Sequence, residues 1–270
     1  MKKWFLMAGI LAGSCSLSAL DTGGRLSFGL KGGMFSPSSR TFNREIVPAF
    51  NRSIEDFITQ AAAFGFSSKS DSLDEIGLGP LFGAEVEWFF LPYLSAALGT
   101  EYFRRTPSAF SEASGQEGGT TYELRQDYRV RACIIPVLMT VRYHFPLKRW
   151  RIYAGAGAGY YSGRLDFKTD FSLKINGAPA EAETSRNEGT GRAVVPHLSA
   201  GLNFELIKRV SLAADVRYAL GKINSFKIKN HTQAEMVGLE MTYIDAAGDE
   251  KPIRWELSGL SLGILIKVNF

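Results

Sequence analysis

Apolar and polar residues alternate along most of this chain. Toward its C-terminus Leu260, Leu262, Ile264, Ile266, Val268 and Phe270 take alternate positions, with Gly259, Ser261, Gly263, Leu265, Lys267 and Asn269 between them. Successive side chains of a β-strand point to opposite faces, so this segment predicts a strand with one apolar face. Seven other segments repeat the pattern. Leu26, Phe28 and Leu30 alternate with Arg25, Ser27, Gly29 and Lys31. Phe82, Ala84, Val86, Trp88 and Phe90 pass through Leu91-Pro92-Tyr93 into Leu94, Ala96, Leu98, Thr100 and Tyr102. Ile135, Val137, Met139, Val141, Tyr143 and Phe145 turn through Pro146-Leu147-Lys148-Arg149 into Ile152, Ala154, Ala156, Ala158 and Tyr160, with Gly155, Gly157 and Gly159 on the second face. Leu198, Ala200, Leu202, Phe204 and Leu206 turn through Ile207-Lys208-Arg209 into Val210, Leu212, Ala214, Val216, Tyr218 and Leu220. Helical spacing occurs once, at Ile54, Phe57, Ile58 and Ala61. There Ser53 stands as N-cap and Glu55 and Asp56 in the first turn, with Phe64 and Phe66 beyond.

The connections sort into two kinds. Within the three pairs just named only a few residues separate the strands, whereas the spans 36–79, 104–127, 164–192 and 222–254 are long. Short turns alternating with long loops is the arrangement of a barrel that crosses an outer membrane. The predicted fold is therefore all-β: a closed eight-stranded antiparallel up-and-down transmembrane β-barrel with four long extracellular loops and a short helix in the first. The Gly-, Ser- and Glu-rich stretch 111–121 predicts a mobile loop tip. Pro136, which lacks a backbone N–H, predicts an edge position or a distorted register.

Charge separates the two faces. Glu85, Glu87, Glu101, Arg142, Asp215, Arg217 and Lys267 all fall on the less apolar face, and the opposite face carries no formal charge over the strand cores. An eight-stranded barrel has an interior just wide enough for side chains, so these seven predict a salt-bridged lumen in which the glycines leave room. The opposite face then meets lipid, where Arg or Lys at the midplane costs about 2–4 kcal/mol. Trp88, Phe90, Tyr143, Phe145 and Trp150 gather at the short-turn ends and Tyr102, Tyr160 and Tyr218 at the loop ends, which predicts two interfacial girdles.

Composition agrees with this division. Of 270 residues 45% are hydrophobic, yet mean hydropathy is only -0.04, because lipid-facing and lumen-facing residues interleave and cancel. Beyond the N-terminus the longest nearly uncharged apolar run, 133–141, is far short of the ~20 residues of a membrane helix. Met1-Lys2-Lys3 followed by an apolar segment reads as a secretory signal peptide, residues 1–19, leaving 20–270 as the barrel domain. Leu11-Ala12-Gly13-Ser14-Cys15 is a loose lipobox, with Ala12 where a branched aliphatic is usual. Cys133 is then alone in the mature chain, so neither a disulfide framework nor a cysteine-based metal site is expected.

These residues resemble the eight-stranded outer-membrane protein β-barrel superfamily, the small porin-like, opacity-protein-like and OmpA/OmpX/OmpW-like barrels. The resemblance spans roughly residues 22–270. It is carried by Leu94-Ser95-Ala96-Ala97-Leu98-Gly99-Thr100-Glu101-Tyr102, Ile135-Pro136-Val137-Leu138 with Tyr143-His144-Phe145, Tyr153-Ala154-Gly155-Ala156-Gly157-Ala158-Gly159-Tyr160, Asp215-Val216-Arg217-Tyr218 and the terminal Phe270. It implies a Gram-negative outer-membrane location with the loops extracellular and the C-terminus periplasmic. It also implies that Ile264, Ile266, Val268 and Phe270 form the signal read by the barrel-assembly machinery. The implied partners are that machinery and periplasmic chaperones during biogenesis, then outer-membrane lipid and lipopolysaccharide. No cofactor and no nucleic acid are expected, and an external ligand or host surface is left open.

Candidate chemistry is sparse. Gly155-Ala156-Gly157-Ala158-Gly159 is followed by Tyr160 at the third glycine position of a dinucleotide fingerprint, with no capped helix after it, and reads as a strand. His197-Leu198-Ser199 resembles the His-x-Ser of lipid A deacylase barrels, but the Asn-rich stretch expected after the serine is missing. The function expected is therefore that of a non-enzymatic outer-membrane barrel, porin-like or structural, passing or binding small molecules at the loop end. The alternatives are an adhesin or recognition barrel acting through its loops and, third, a lipid A-modifying enzyme. The helix of Ile54, Phe57, Ile58 and Ala61 is either packed on the barrel mouth or a lid over the lumen.

Overall fold

The computed structural model describes residues 25–270 apart from 148, 208 and 246; the predicted signal peptide and Cys15 lie outside the described residues. Eight strands form the ring: β1 Arg25–Pro37, β2 Gly79–Leu91, β3 Leu94–Arg105, β4 Thr120–Leu147, β5 Trp150–Ile175, β6 Ala178–Ile207, β7 Val210–Ala219 and β8 Gly259–Asn269. Each pairs antiparallel with its neighbour in sequence, and β8 pairs with β1, so the ladder closes without an edge. Alternation decides which way each residue points. Leu30, Phe82, Met139 and Ile264 are exposed on the outer face, while their chain neighbours Lys31, Thr140 and Leu265 are buried inside.

Pro136 lies in neither an edge nor a shifted register. It sits inside β4, and the pairs Thr100↔Val137 and Phe103↔Ile134 keep one register across it. The missing N–H falls where the β3 ladder is interrupted opposite Glu101 and Tyr102, and Thr100 Oγ1 donates to the Pro136 carbonyl at 3.0 Å.

Two of the four predicted loops are strands. β4, β5 and β6 run for 28, 26 and 30 residues, well over twice the roughly 9–11 residues that cross a membrane. They project as a sheet, widened by strand Ser108–Glu117 on β4, strand Ser67–Ser70 beyond it, and strand Lys227–His231 on β6. Stretch 111–121 is accordingly a hairpin rather than a mobile tip. Gly118 and Gly119 close it with φ of 58° and 84°, and Asn176-Gly177 closes β5 to β6 with φ of 52° and 78°. Two successive residues at positive φ match the right-handed twist of the flanking strands, which is why Asn-Gly and Gly-Gly favour such turns.

The first connection holds a longer helix than the sequence predicts. Helix α1, Val47–Ala63, continues directly from a wide turn at Phe42–Ile46, and the turn accommodates Pro48, which has no N–H to donate. Ser53 therefore lies inside the helix and is not its N-cap. The start is instead tied to the last connection: Glu256 accepts from the Thr41 backbone N–H at 3.0 Å and from its hydroxyl at 2.5 Å, and Trp255 Nε1 donates to Ser39 Oγ at 2.9 Å. The buried stripe also shifts. Ile54 and Ala61 are buried but Phe57 and Ile58 only half so, and the helix docks through Phe42, Ile46, Val47, Phe50 and Ile54. Phe50 stacks on Phe167 of β5 at 5.9 Å and meets Tyr128 of β4 edge-on at 6.2 Å.

One apolar core joins this apparatus to the barrel. It runs from Ile46, Val47 and Ile54 through Ile76, Ile223, Phe226 and Trp255 to Leu81, Phe103, Ile134, Leu138, Tyr161 and Val195 on the inner faces of the ring strands. Phe103, 1% exposed, meets Phe35 edge-on at 5.2 Å. Phe103→Ala should lower unfolding stability by about 3–5 kcal/mol, the usual cost of deleting a buried aromatic. Urea titration of the protein in lipid vesicles measures this; an unchanged midpoint would mean that the mouth of the barrel is not packed.

Candidate functional site

The lumen below this core is ionic. Lys31 Nζ donates to Glu101 Oε1 at 3.0 Å and to Asp215 Oδ2 at 2.6 Å, while both Arg217 amino groups reach the two Glu101 oxygens, the first at 2.6 Å. Toward the turn end Arg142 forks onto Glu85 with two contacts of 2.5 Å, and Lys267 Nζ bridges Glu85 at 3.0 Å and Glu87 at 2.7 Å. Tyr153 joins the two groups: its hydroxyl donates to Asp215 Oδ1 at 2.6 Å and its ring lies 4.8 Å from the Arg142 guanidinium. Ser95 Oγ donates to Glu87 at 2.7 Å and contacts His144 Nε2 at 2.8 Å. All of this is nearly sealed, with Lys31, Glu87, Glu101, Arg142, Asp215, Arg217 and Lys267 each no more than 8% exposed.

The structure thus brings together all seven charged residues singled out from the sequence. It adds Lys31, Tyr153, Ser95 and His144. Lys31 had a readable signal, since the seven carry three positive and four negative charges and a sealed lumen needs one more cation. Glycines give the long side chains their space. A Cβ at Gly155 would lie 2.9 Å from Arg142 Cγ, one at Gly83 2.9 Å from Glu101 Cγ, and one at Gly263 would overlap Lys31 Cε.

The remaining sequence-singled residues lie elsewhere. Trp88, Phe90, Tyr143, Phe145 and Trp150 are exposed on the outer face at the turn end, where Trp88 meets Phe90 at 5.7 Å and Tyr143 meets Phe145 at 4.6 Å. Tyr93 and Phe204 extend that rim. Tyr102, Tyr160 and Tyr218 are exposed at the loop end, Ile264, Ile266 and Val268 on the outer face of β8, and Phe270 just beyond its end. His197 Nε2 contacts Thr140 Oγ1 at 2.8 Å, whereas its Nδ1 and Ser199 Oγ have no partner among the described residues. The pair is therefore not arranged as a nucleophile and an oriented base.

A ring of antiparallel strands with an apolar outside, aromatic rims and an ion-paired inside is the architecture of an outer-membrane barrel. The family described as Outer membrane protein beta-barrel domain matches residues 8–240. The chain belongs to this family. The barrel's place is thus the bacterial outer membrane. Among solved structures it is similar to Neisserial surface protein A (NspA), at 11% identity, covering 92% of this chain and 99% of that one with a TM-score of 0.36. It is likewise similar to the N-terminal β-barrel domain of Pseudomonas aeruginosa OprF, at 10% identity, 91% and 97% coverage and TM-score 0.34. Ail, the attachment invasion locus protein of Yersinia pestis, gives 10% identity, 92% and 99% coverage and TM-score 0.34. Such distant likenesses transfer no function. Comparison with curated proteins yields no match.

Above the rim, the outer face of the barrel's projecting sheet changes character. Ile135, Val137, Met139 and Val141 give way along β4 to Arg131, Arg129 and Arg125, while Tyr128, Val130, Ala132 and Ile134 keep the inner face apolar. Asp166 lies on this charged outer face. Burial pushes its carboxyl up, but the fork of Arg186, at 2.8 and 2.9 Å, outweighs this and holds it below the ordinary 3.8.

Two predictions follow from these pairs. Arg217→Met leaves Glu101 to Lys31 alone and should cost about 3–5 kcal/mol, whereas Arg217→Met with Glu101→Leu should recover most of that loss; denaturant titrations of both variants decide it. Because the Asp166 pKa is depressed on folding, its contribution is present above 3.8 and is lost as pH falls through the folded value. The protection of β5–β6 hairpin amides, measured as hydrogen-exchange rates relative to the intrinsic rate at each pH, should therefore fall in the wild type as pH drops below about 5. The fall should be smaller in Asp166→Asn, and equal falls in the two proteins would refute the assignment.

Proposed function

We propose that this outer-membrane barrel is a non-enzymatic surface-recognition protein that acts through its projecting sheet and not by passage through its lumen. The observation that carries the reading is the continuous filling of the interior. The turn-end half holds eight paired charges, four of each sign, and the loop-end half holds Leu81, Phe103, Ile134, Leu138, Tyr161 and Val195, packed into the same core as α1 and the last connection. A conducting pore needs a wetted path, and no such path is compatible with a sealed neutral network below a dry plug. The passage reading would require both layers to open together.

The recognition reading is also supported by the size and order of the projection. Two hairpins with tight turns, a docked helix and a shared core make a rigid platform, and rigid platforms lose little entropy on binding. In this reading the loop ends face outward, the turns and C-terminus face the periplasm, Ile264, Ile266, Val268 and Phe270 serve assembly, and α1 is part of the platform instead of a lid. The protein reconstituted in planar bilayers should show no stable conductance steps, and protease applied to intact cells should cut near Asn176-Gly177. A reproducible channel from the wild-type protein would overturn the reading.

A further inference from the structure

On the outer face of the projecting sheet, Arg129 of β4, Lys168 of β5 and Arg186 of β6 stand side by side as direct cross-strand partners. Strands lie about 4.8 Å apart, and like charges placed directly opposite one another destabilise a sheet. Neighbouring carboxylates offset this only in part: Asp170 pairs with Lys168 at 2.6 Å, and Asp166 and Glu188 pair with Arg186 at 2.8 and 3.0 Å. Arg129 belongs to none of the ion pairs among the described residues, and Arg131 reaches Asp166 only at 3.9 Å. Between these cations is a depression of about 280 Å³ lined by Arg129, Arg131, Lys168 and Arg186, with Asp166 as its single carboxylate.

The position of this depression indicates what fills it. The cations climb from the membrane rim in consecutive rows. Arg192 shares the row of Ile135 and Ser162, level with Tyr102; Arg164 follows beside Cys133 and Arg104; then comes Arg131, and then the row of three. At about 3.3 Å per residue, Arg131 and Arg129 lie roughly 13 and 20 Å along β4 from Ile135, the last apolar residue of its outer face, and less than that along the membrane normal because barrel strands tilt. That is the level of a saccharide headgroup whose acyl chains lie against the apolar belt. We propose that this outer face is a binding site for the phosphorylated headgroup of the outer-leaflet glycolipid, in which the phosphates bind Arg129, whose neighbours Asp127 and Asp170 are paired with Arg125 and Lys168, and Arg131, whose one carboxylate lies at 3.9 Å. The site rests on the barrel's place in the outer membrane and is independent of the recognition reading.

The test uses the full-length barrel in detergent with three probes: lipopolysaccharide with its phosphates intact, the same lipopolysaccharide after dephosphorylation, and inorganic phosphate. The phosphorylated form should bind and raise the thermal midpoint, while the other two should leave it unchanged. Arg129→Ser with Arg131→Ser removes two charges near an anionic surface and should weaken binding about 30-fold, close to a factor of five per charge. Arg149→Ser with Arg209→Ser, at the turn end, is the charge-matched control and should bind as the wild type does. Both variants change exposed or half-exposed side chains, and the heat-modifiable gel shift reports that each has folded. Equal affinity in the double variant and the wild type, equal affinity for dephosphorylated lipopolysaccharide, or an equal shift with inorganic phosphate would each overturn the proposal.

Discussion

The structure depends on one constraint: a sheet crossing hydrocarbon can leave no backbone N–H or C=O unpaired. Lipid offers no hydrogen bond, so the ladder must close on itself, and here the β1–β8 register from Ser27↔Asn269 to Pro37↔Gly259 closes it. Eight strands fix the width, and at that width the interior admits side chains but little else. Everything inside must then be solved at close quarters. Each buried charge needs a partner, each long side chain needs a neighbouring glycine, and the total must be neutral.

The two storeys of the lumen are two solutions to the same problem. Where the strands are surrounded by lipid, ion pairs fill the interior and Tyr153 links the two groups. Buried pairs give little net stability compared with apolar packing, because desolvation consumes most of the attraction. Their penalty when mispaired is large, however, and that penalty pins register: a one-residue slip would turn Glu85, Glu87 and Lys267 outward into lipid. Toward the loop end the interior becomes apolar and merges with the external core. The ionic storey thus specifies which strand positions meet, and the apolar storey ties the projecting sheet to the ring.

Period-two alternation made the ring legible from the sequence, because every strand had to place an apolar residue outside at each second position. The seven lumen charges were legible for the same reason. Lys31 was legible as the cation that the other seven lack, whereas Tyr153 carries no charge and its partner Asp215 lies 62 residues away in sequence. The projecting hairpins were hidden differently. Beyond Ile135 the outer face of β4 turns from apolar to charged, so a search for apolar alternation stops there, although Tyr128, Val130 and Ala132 continue it on the other face. Asn176-Gly177 and Gly118-Gly119 were the local signals of continuation. The start of α1 had none, since the carboxylate that anchors Thr41 belongs to Glu256, 215 residues away in sequence.

That reversal of polarity along β4, β5 and β6 is itself informative. On a strand that ended in a flexible loop, the outer and inner faces would lose their contrast together. Here the inner face stays apolar while the outer face exchanges Ile135 and Val137 for Arg131 and Arg129, so the strand keeps a core on one side while its other side leaves lipid for water. The same residues therefore mark the membrane boundary and show that the segment beyond it is folded. A projection that shares a core with the barrel interior cannot swing freely over the mouth without exposing Phe103 and Ile134. At roughly 25 cal/mol per Å² of apolar surface, exposing such side chains is costly, which favours a fixed platform over a gate.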